Sequence, residues 1–383
     1  MDDRDAQVGW TEAQWNRVRE EVLRAWQRVR VAGSFLPVYG PLPPSTQVVP
    51  SEIFRSDGTV DDQATAVLLE ISLPVKLTRQ EIREEDLPSA LLQFRRRAAQ
   101  VGQLEDWCIF NGIFPSVEFS DDVKEAFAQD PEAGLPSYLP DLPYVRDLIK
   151  SGWAPVSGGP RPIADQDMQR RGMRQRNPGA LGLVEGPRVE QEEALQRGDA
   201  ENEVQRLNNN GLMRAIVRAI NRLEQGGYVA PYVCVFGRHP FQAAHDSIDN
   251  STVLPRDRLE PLIGRELVHA SAIDILPFES ARYAQLDKEA WPSRGVLLSM
   301  ADEAIDLAIA ADAALEFRQV DEHGRFVFSV FERFALRIKD PKAIVPLMFE
   351  GAGDGGAGGG GAGDEGALDE GPSDEAPASS TDS

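Results

Sequence analysis

DLPSALLQFRRRAAQVGQLEDWCIFNG, residues 86–112, is the stretch around which this 383-residue chain is organised. Asp86 is a candidate N-cap, Pro88 suits a first helical turn, and Asn111-Gly112 is a stop signal. Between them Leu91, Phe94, Ala98, Val101, Leu104 and Cys108 recur at helical spacing, with Trp107 beside them. The pattern predicts a helix about 36 Å long at 1.5 Å per residue, enough to span a small domain. Arg95, Arg96, Arg97 and Gln100 fall outside the stripe and read as a solvated or partner-facing side. Glu105-Asp106 are helical neighbours that point to different sides, so they do not converge as an acid/base couple.

Upstream, residues 10–30 predict an amphipathic helix. Thr11 and Gln14 form a capping-box pattern, and Trp15, Val18, Val22, Ala25, Trp26 and Val29 make one apolar stripe. Such a stripe is covered either by the protein's own core or by a partner. The proline-rich segment 33–50 is extended. Residues 51–79 predict two strands around Asp57-Gly58, an arm that needs a neighbour because an isolated hairpin is marginal in water.

Downstream, residues 113–207 carry ten prolines and an arginine cluster at 170–176, and predict an irregular insertion not required for the core fold. An α/β segment follows: a helix from Asn210 to Gly226-Gly227, a strand Tyr228–Phe236, short helices near 240–244 and 256–264, and strands at 267–273 and 295–300. Ile305–Val320 and Arg325–Ile338 predict a long hairpin around Asp321-Glu322-His323-Gly324, then a last strand at 343–349. Residues 351–383, with eight acidic and no basic side chains, predict a disordered tail that keeps molecules apart.

The net charge of −22 argues against a non-specific nucleic-acid binder and against docking on an anionic membrane. Cys108 and Cys234 sit in apolar runs and read as buried thiols, and no window is apolar enough to span a bilayer. The absence of a basic, apolar leader at the N-terminus predicts a cytoplasmic protein. No nucleophile elbow, zinc-protease helix or phosphate-binding glycine loop is present. The four histidines, His239, His245, His269 and His323, lack close ligand spacing.

Several local patterns occur together in one order. Thr11-Glu12-Ala13-Gln14-Trp15 opens the first helix, and Phe35 to Pro41 reads F-x-x-V-x-G-P. Ser72-Leu73-Pro74 precedes Leu77-Thr78-Arg79, and the long helix closes E-D-x-x-I-F-x-G at Glu105 to Gly112. Ala215-Ile216-Val217-Arg218-Ala219 follows, and Phe334 leads to Pro341-Lys342-Ala343. In these residues the chain resembles the encapsulins, linocin-type bacterial nanocompartment shell proteins.

The resemblance implies an α+β, tailed-phage major-capsid-like fold with a peripheral domain, an axial domain and an extended β-hairpin loop. Residues 1–50 would then be the N-terminal helix and a peripheral segment, 51–80 the extended loop, and 81–112 the spine helix. Residues 113–207 would be an insertion and 208–300 the axial domain. The peripheral hairpin and C-terminal strand would occupy 301–350, and the tail 351–383. It implies a closed icosahedral homo-oligomer around a cargo enzyme of ferritin-like, peroxidase or other redox type, with no cofactor or metal of its own and no catalysis. A short C-terminal targeting peptide on the cargo would dock on Trp15, Val18, Val22, Trp26, Phe35 and Val38, with Leu336 and Ile338 opposite. The family's Arg and Asp around that segment are replaced by Gly33 and Pro37. A pore would be lined by His245, Asp246, Ser247, Asp249, Asn250 and Ser251, whose carboxylates would favour cations. The rival readings are a prophage major capsid protein and, in third place, a hydrolase or bacteriocin.

Overall fold

The computed structural model describes residues 7–54, 58–62, 64–111, 183, 205–206, 209–247, 253–274 and 293–350. The acidic tail and most of the 113–207 insertion lie outside them.

Helix α1 spans Glu12–Gln27 and starts with the capping box that Thr11 and Gln14 announce: Thr11 Oγ1 accepts from Gln14 N, and Thr11 N donates to Gln14 Oε1. After the short helix α2 (Arg79–Arg83), the spine helix α3 occupies Pro88–Asn111. Its start differs from expectation. Leu87, not Asp86, precedes the helix, in the left-handed region at φ 52° with its side chain fully buried. Burial of this leucine holds a backbone conformation that a non-glycine residue adopts only at a cost. The carboxylate of Glu84 accepts from Ser89 N, while Asp86 turns outward to Arg17 at 3.4 Å.

The first sheet has four strands in the order β1 (Val38–Tyr39), β11 (Ile305–Val320), β12 (Phe326–Ile338) and β6 (Leu69–Leu77). The long hairpin β11–β12 is where the alternation placed it. Asp321 closes its turn by accepting from His323 N and Arg325 N, and Gly324 supplies the positive φ. Strand β6 pairs with β12 from Leu69↔Phe334 to Leu77↔Phe326, so this part of the 51–80 segment finds its partner within the chain. Its Pro74 is tolerated because β6 is an edge strand. Ile71, Leu73, Val75 and Leu77 are buried while the residues between them are exposed, the period of a strand with one face on a core.

Helices α1 and α3 lie on that buried face, running parallel. Phe328 is the hub: Trp10 stacks on it at 5.2 Å, Phe94 meets it edge-on at 5.3 Å, and Trp15 lies at 6.1 Å. The two helices approach closely at Gly102, where a β-carbon would stand 2.8 Å from Val29 Cγ2 and 3.2 Å from the Trp26 carbonyl oxygen. The opposite face of the sheet carries a second, small core of Val49, Ala66, Ala308 and Ala335. Two short ladders continue the arm there, β2 (Val48–Pro50) with β5 (Thr65–Val67) and β3 (Ile53–Phe54) with β4 (Val60–Asp61).

The second sheet has the order β7 (Gln205–Arg206), β13 (Ile344–Glu350), β10 (Ser293–Ser299), β8 (Tyr232–Phe236) and β9 (Val268–His269). Every residue of β8 and β10 is buried, as expected of central strands. Helices α4 (Asn209–Gln225), α5 (Arg238–His245) and α6 (Pro255–Ile263) complete this part. Leu212, Ile216, Ala219 and Leu223 form the buried stripe of α4. Three expectations change here. The last strand, β13, grouped with the hairpin in the expected 301–350 segment, pairs with β10 and so joins this sheet. The predicted strand 267–273 shrinks to two residues before a 3₁₀ turn at Ser271–Asp274. The insertion also enters the fold, since β7 pairs with β13 and Leu183 is fully buried in the main core.

Gly102→Val should cost about 1–3 kcal/mol, because the added branches have no room against Val29 and Trp26. A urea midpoint unchanged from wild type would mean that α1 and α3 do not pack this closely at Gly102.

Candidate functional site

The eight residues expected to form a cargo-peptide groove do not form one on the helical face. Trp15, Val18, Val22 and Trp26 are at most 2% exposed, lying between α3 and the sheet. Trp26 Nε1 donates to Glu332 Oε2 at 3.0 Å, and the Arg30 guanidinium sits 4.0 Å above its ring. Leu336 and Ile338 face Leu307 and Ile305 across the hairpin and are buried too. The physical reason is the size of the two-tryptophan stripe, which the chain's own aromatic core covers. Phe35 is half-buried, and Val38 is 54% exposed on edge strand β1, next to exposed Tyr39.

Of the expected pore residues, His245, Asp246 and Ser247 end and follow α5. His245 is half-buried, with Nδ1 2.8 Å from the Phe241 carbonyl oxygen, while Asp246 and Ser247 are exposed. The Phe241 ring lies 4.3 Å from His245 and 5.1 Å from His269. Asp249, Asn250 and Ser251 lie outside the described residues.

The surface that stands out is the arm. Val48 faces Val67 across one ladder and Phe54 faces Val60 across the other, and all four are 41–61% exposed. Cross-strand apolar pairs of this kind ordinarily cover a core. Here they point outward, although the arm itself is firmly held. Arg337 grips Asp306 through Nε–Oδ1 (2.5 Å) and Nη2–Oδ2 (2.6 Å), and its Nη1 donates to the Pro50 carbonyl at 2.9 Å. Its guanidinium also lies 3.7 Å from the Tyr39 ring centre. Lys339 Nζ adds a contact to Asp306 Oδ2 at 3.1 Å. Arg333 repeats the device nearer the arm's start, pairing with Glu70 at 2.6 Å and donating to the Pro44 carbonyl at 2.6 Å. Sequence reading missed both arginines. They alternate on the outward face of a strand, where a lone Arg ordinarily signals solvation.

The thiols of Cys108 and Cys234 are buried, which pushes their pKa up and holds them as uncharged S–H groups. Among the described residues no cluster of three or more His, Cys, Asp or Glu could hold a metal ion. No helix among them is long and apolar enough to cross a membrane.

No family model matches the sequence, and no curated protein is similar to it. Solved structures are. The chain is similar in fold to the virus-like particle protein of Pyrococcus furiosus, at 13% identity over 88% of this chain and 100% of that one, with a TM-score of 0.48. It is also similar to the capsid of an empty GTA particle, at 12% identity over 84% and 90% of the two chains, with a TM-score of 0.46. A third likeness is the SrpI encapsulin of Synechococcus elongatus PCC 7942, at 9% identity over 84% and 87%, with a TM-score of 0.43.

Arg337→Ala should lower stability by about 3 kcal/mol, the lower end for a broken buried pair, because Lys339 still partners Asp306. Arg337→Lys should recover only part of this, since an ammonium cannot make the bidentate contact. Chemical denaturation measures the first effect, and faster proteolysis within 48–67 measures the release of the arm.

Proposed function

We propose that this chain is a structural shell protein that assembles through its arm into a closed compartment enclosing a cargo enzyme, of ferritin-like, peroxidase or other redox type. The observation that carries this reading is the arm: two outward-facing apolar pairs on ladders clamped to the first sheet by Arg333 and Arg337. A rigid arm with an uncovered apolar face suits a heterologous contact, in which one copy's arm lies on the next copy's body. Repeated around symmetry axes, such contacts close a shell. The ordered run of encapsulin-like patterns from Thr11 to Ala343 supports the same conclusion. Its action is confinement and selective passage. The loop after α5, carrying Asp246, lines a pore that favours cations.

With the helical stripe buried, cargo docking belongs at the edge of the first sheet. Strand β1 is an edge strand with Val38 and Tyr39 exposed and Phe35 half-buried beside it. An extended C-terminal peptide can add there as a further strand, backbone bonds giving affinity and the apolar side chains giving register.

Electron microscopy of the chain expressed alone should show uniform hollow particles, and Val48→Asp/Val67→Asp should leave only small species of unchanged helix content. Monomers or dimers from the wild-type chain would overturn self-assembly. Particles packed with nucleic acid would favour the prophage capsid reading.

A further inference from the structure

The buried corner where α1, α3 and β12 meet holds more carboxyl groups than it has cations. Glu105 on α3 and Glu332 on β12 are both fully buried. Each gives one oxygen to α1 or the residues just after it. Arg30 Nη2 donates to Glu105 Oε1 at 2.5 Å, and Trp26 Nε1 donates to Glu332 Oε2 at 3.0 Å. The other two oxygens, Oε2 of Glu105 and Oε1 of Glu332, are buried, and no N–H or O–H donor of the described residues reaches them. The two carboxyls belong to one cluster, because Arg30, bound to Glu105, also lies 4.0 Å over the ring of Trp26, which donates to Glu332. Two carboxylates are both acceptors, so they can satisfy these oxygens between themselves only if one carries a proton.

The surrounding charges agree. From α3 come Glu105, Asp106 and the uncharged thiol of Cys108; from β12, Glu332; from β11, Asp312; and among the described residues the one cation named at this corner is Arg30, just after α1. Asp106 is engaged elsewhere, accepting from Val31 N at 2.7 Å and Ala32 N at 2.8 Å. Arg30 cannot balance two further buried carboxylates, and desolvation makes an unpaired one costly.

We propose that Glu105 and Glu332 hold one proton between them, and that this proton latches the C-terminal end of α1, through Arg30 and Trp26, onto α3 and β12. Its loss on alkalinisation releases that corner of the molecule. Burial, which outweighs Arg30, raises the Glu105 pKa to about 7, and burial followed by the Glu105 charge raises that of Glu332 well above its ordinary range. The sign follows. At neutral pH the unfolded chain has already released these protons and the folded chain has not, so stability falls as pH rises. The pair's contribution is complete below the ordinary glutamate range and is lost as pH climbs through about 7 and beyond.

The test is urea unfolding of the full chain from about pH 6 to about pH 9, comparing wild type with Glu332→Gln. A glutamine amide donates a fixed N–H to Glu105 Oε2 while its oxygen still accepts from Trp26, so it replaces the proton permanently. The wild-type unfolding constant should rise with pH up to about tenfold per unit more steeply than that of the variant. Parallel profiles would overturn the proposal. Should the variant not fold, infrared spectroscopy of the wild type at about pH 8 decides instead. A protonated-carboxyl C=O band that titrates away, with faster amide exchange at residues 26–36, supports the latch. Absence of that band sinks it. Neither readout requires the chain to assemble.

Discussion

The last two turns of the spine helix are buried on every side, and the remaining architecture answers that constraint. From Leu104 to Phe110 no residue of α3 reaches solvent, although two of them, Glu105 and Asp106, are acids. A helix end of this kind needs apolar cover all round and a specific partner for each carboxyl. Cover comes from the first sheet on one side and from the 3₁₀ turn Ser271–Asp274 of the second part on another. Partners come from the segment after α1: the Arg30 guanidinium meets Glu105, and the Val31 and Ala32 N–H groups meet Asp106. The spine helix therefore joins the two sheets, and the turn at Val31–Ala32 is shaped by acids it meets only in the fold.

The first sheet works on both faces by dividing residue sizes. Its inner face offers Phe328, Val330 and Phe334 to the helices, where large side chains fill volume. Its outer face offers Ala308 and Ala335, and the arm's Val49 and Ala66 settle against these small residues. What apolar contact this shallow core lacks is made up by the buried ions Arg337, Asp306 and Lys339. Such a cluster adds little net stability over an apolar replacement, but its bidentate geometry permits one orientation of the arm on the sheet.

Much of the fold was legible because local signals agreed with it. The Thr11–Gln14 cap, the stripe from Leu91 to Cys108 and the Asp321–Gly324 turn all stand where periodicity and turn chemistry placed them. The start of α3 was misread because Asp86 looks like a cap, whereas burial of Leu87 fixes the boundary one residue later. The sheet that the last strand joins was not legible because an apolar run carries no address: β13 reads alike beside β12 or β10. The site was harder still. The stripe of α1 was visible, but what covers it depends on Phe328, far along the chain. Likewise, Glu105 was judged against its neighbour Asp106, whereas in the fold it is held by Arg30, 75 residues away.

The strand order has a consequence for how the chain is made. In the first sheet β1, near the N-terminus, is hydrogen bonded to β11, and in the second sheet β13 flanks the central strand β10. Neither sheet is complete until residues beyond 300 have left the ribosome. During synthesis, α1 and the spine helix thus wait with their aromatic faces uncovered while some two hundred further residues are translated. Transiently exposed apolar surface of this kind is prone to aggregate until its cover is made. Both sheets therefore close only after the same late stretch, residues 305–350, has emerged.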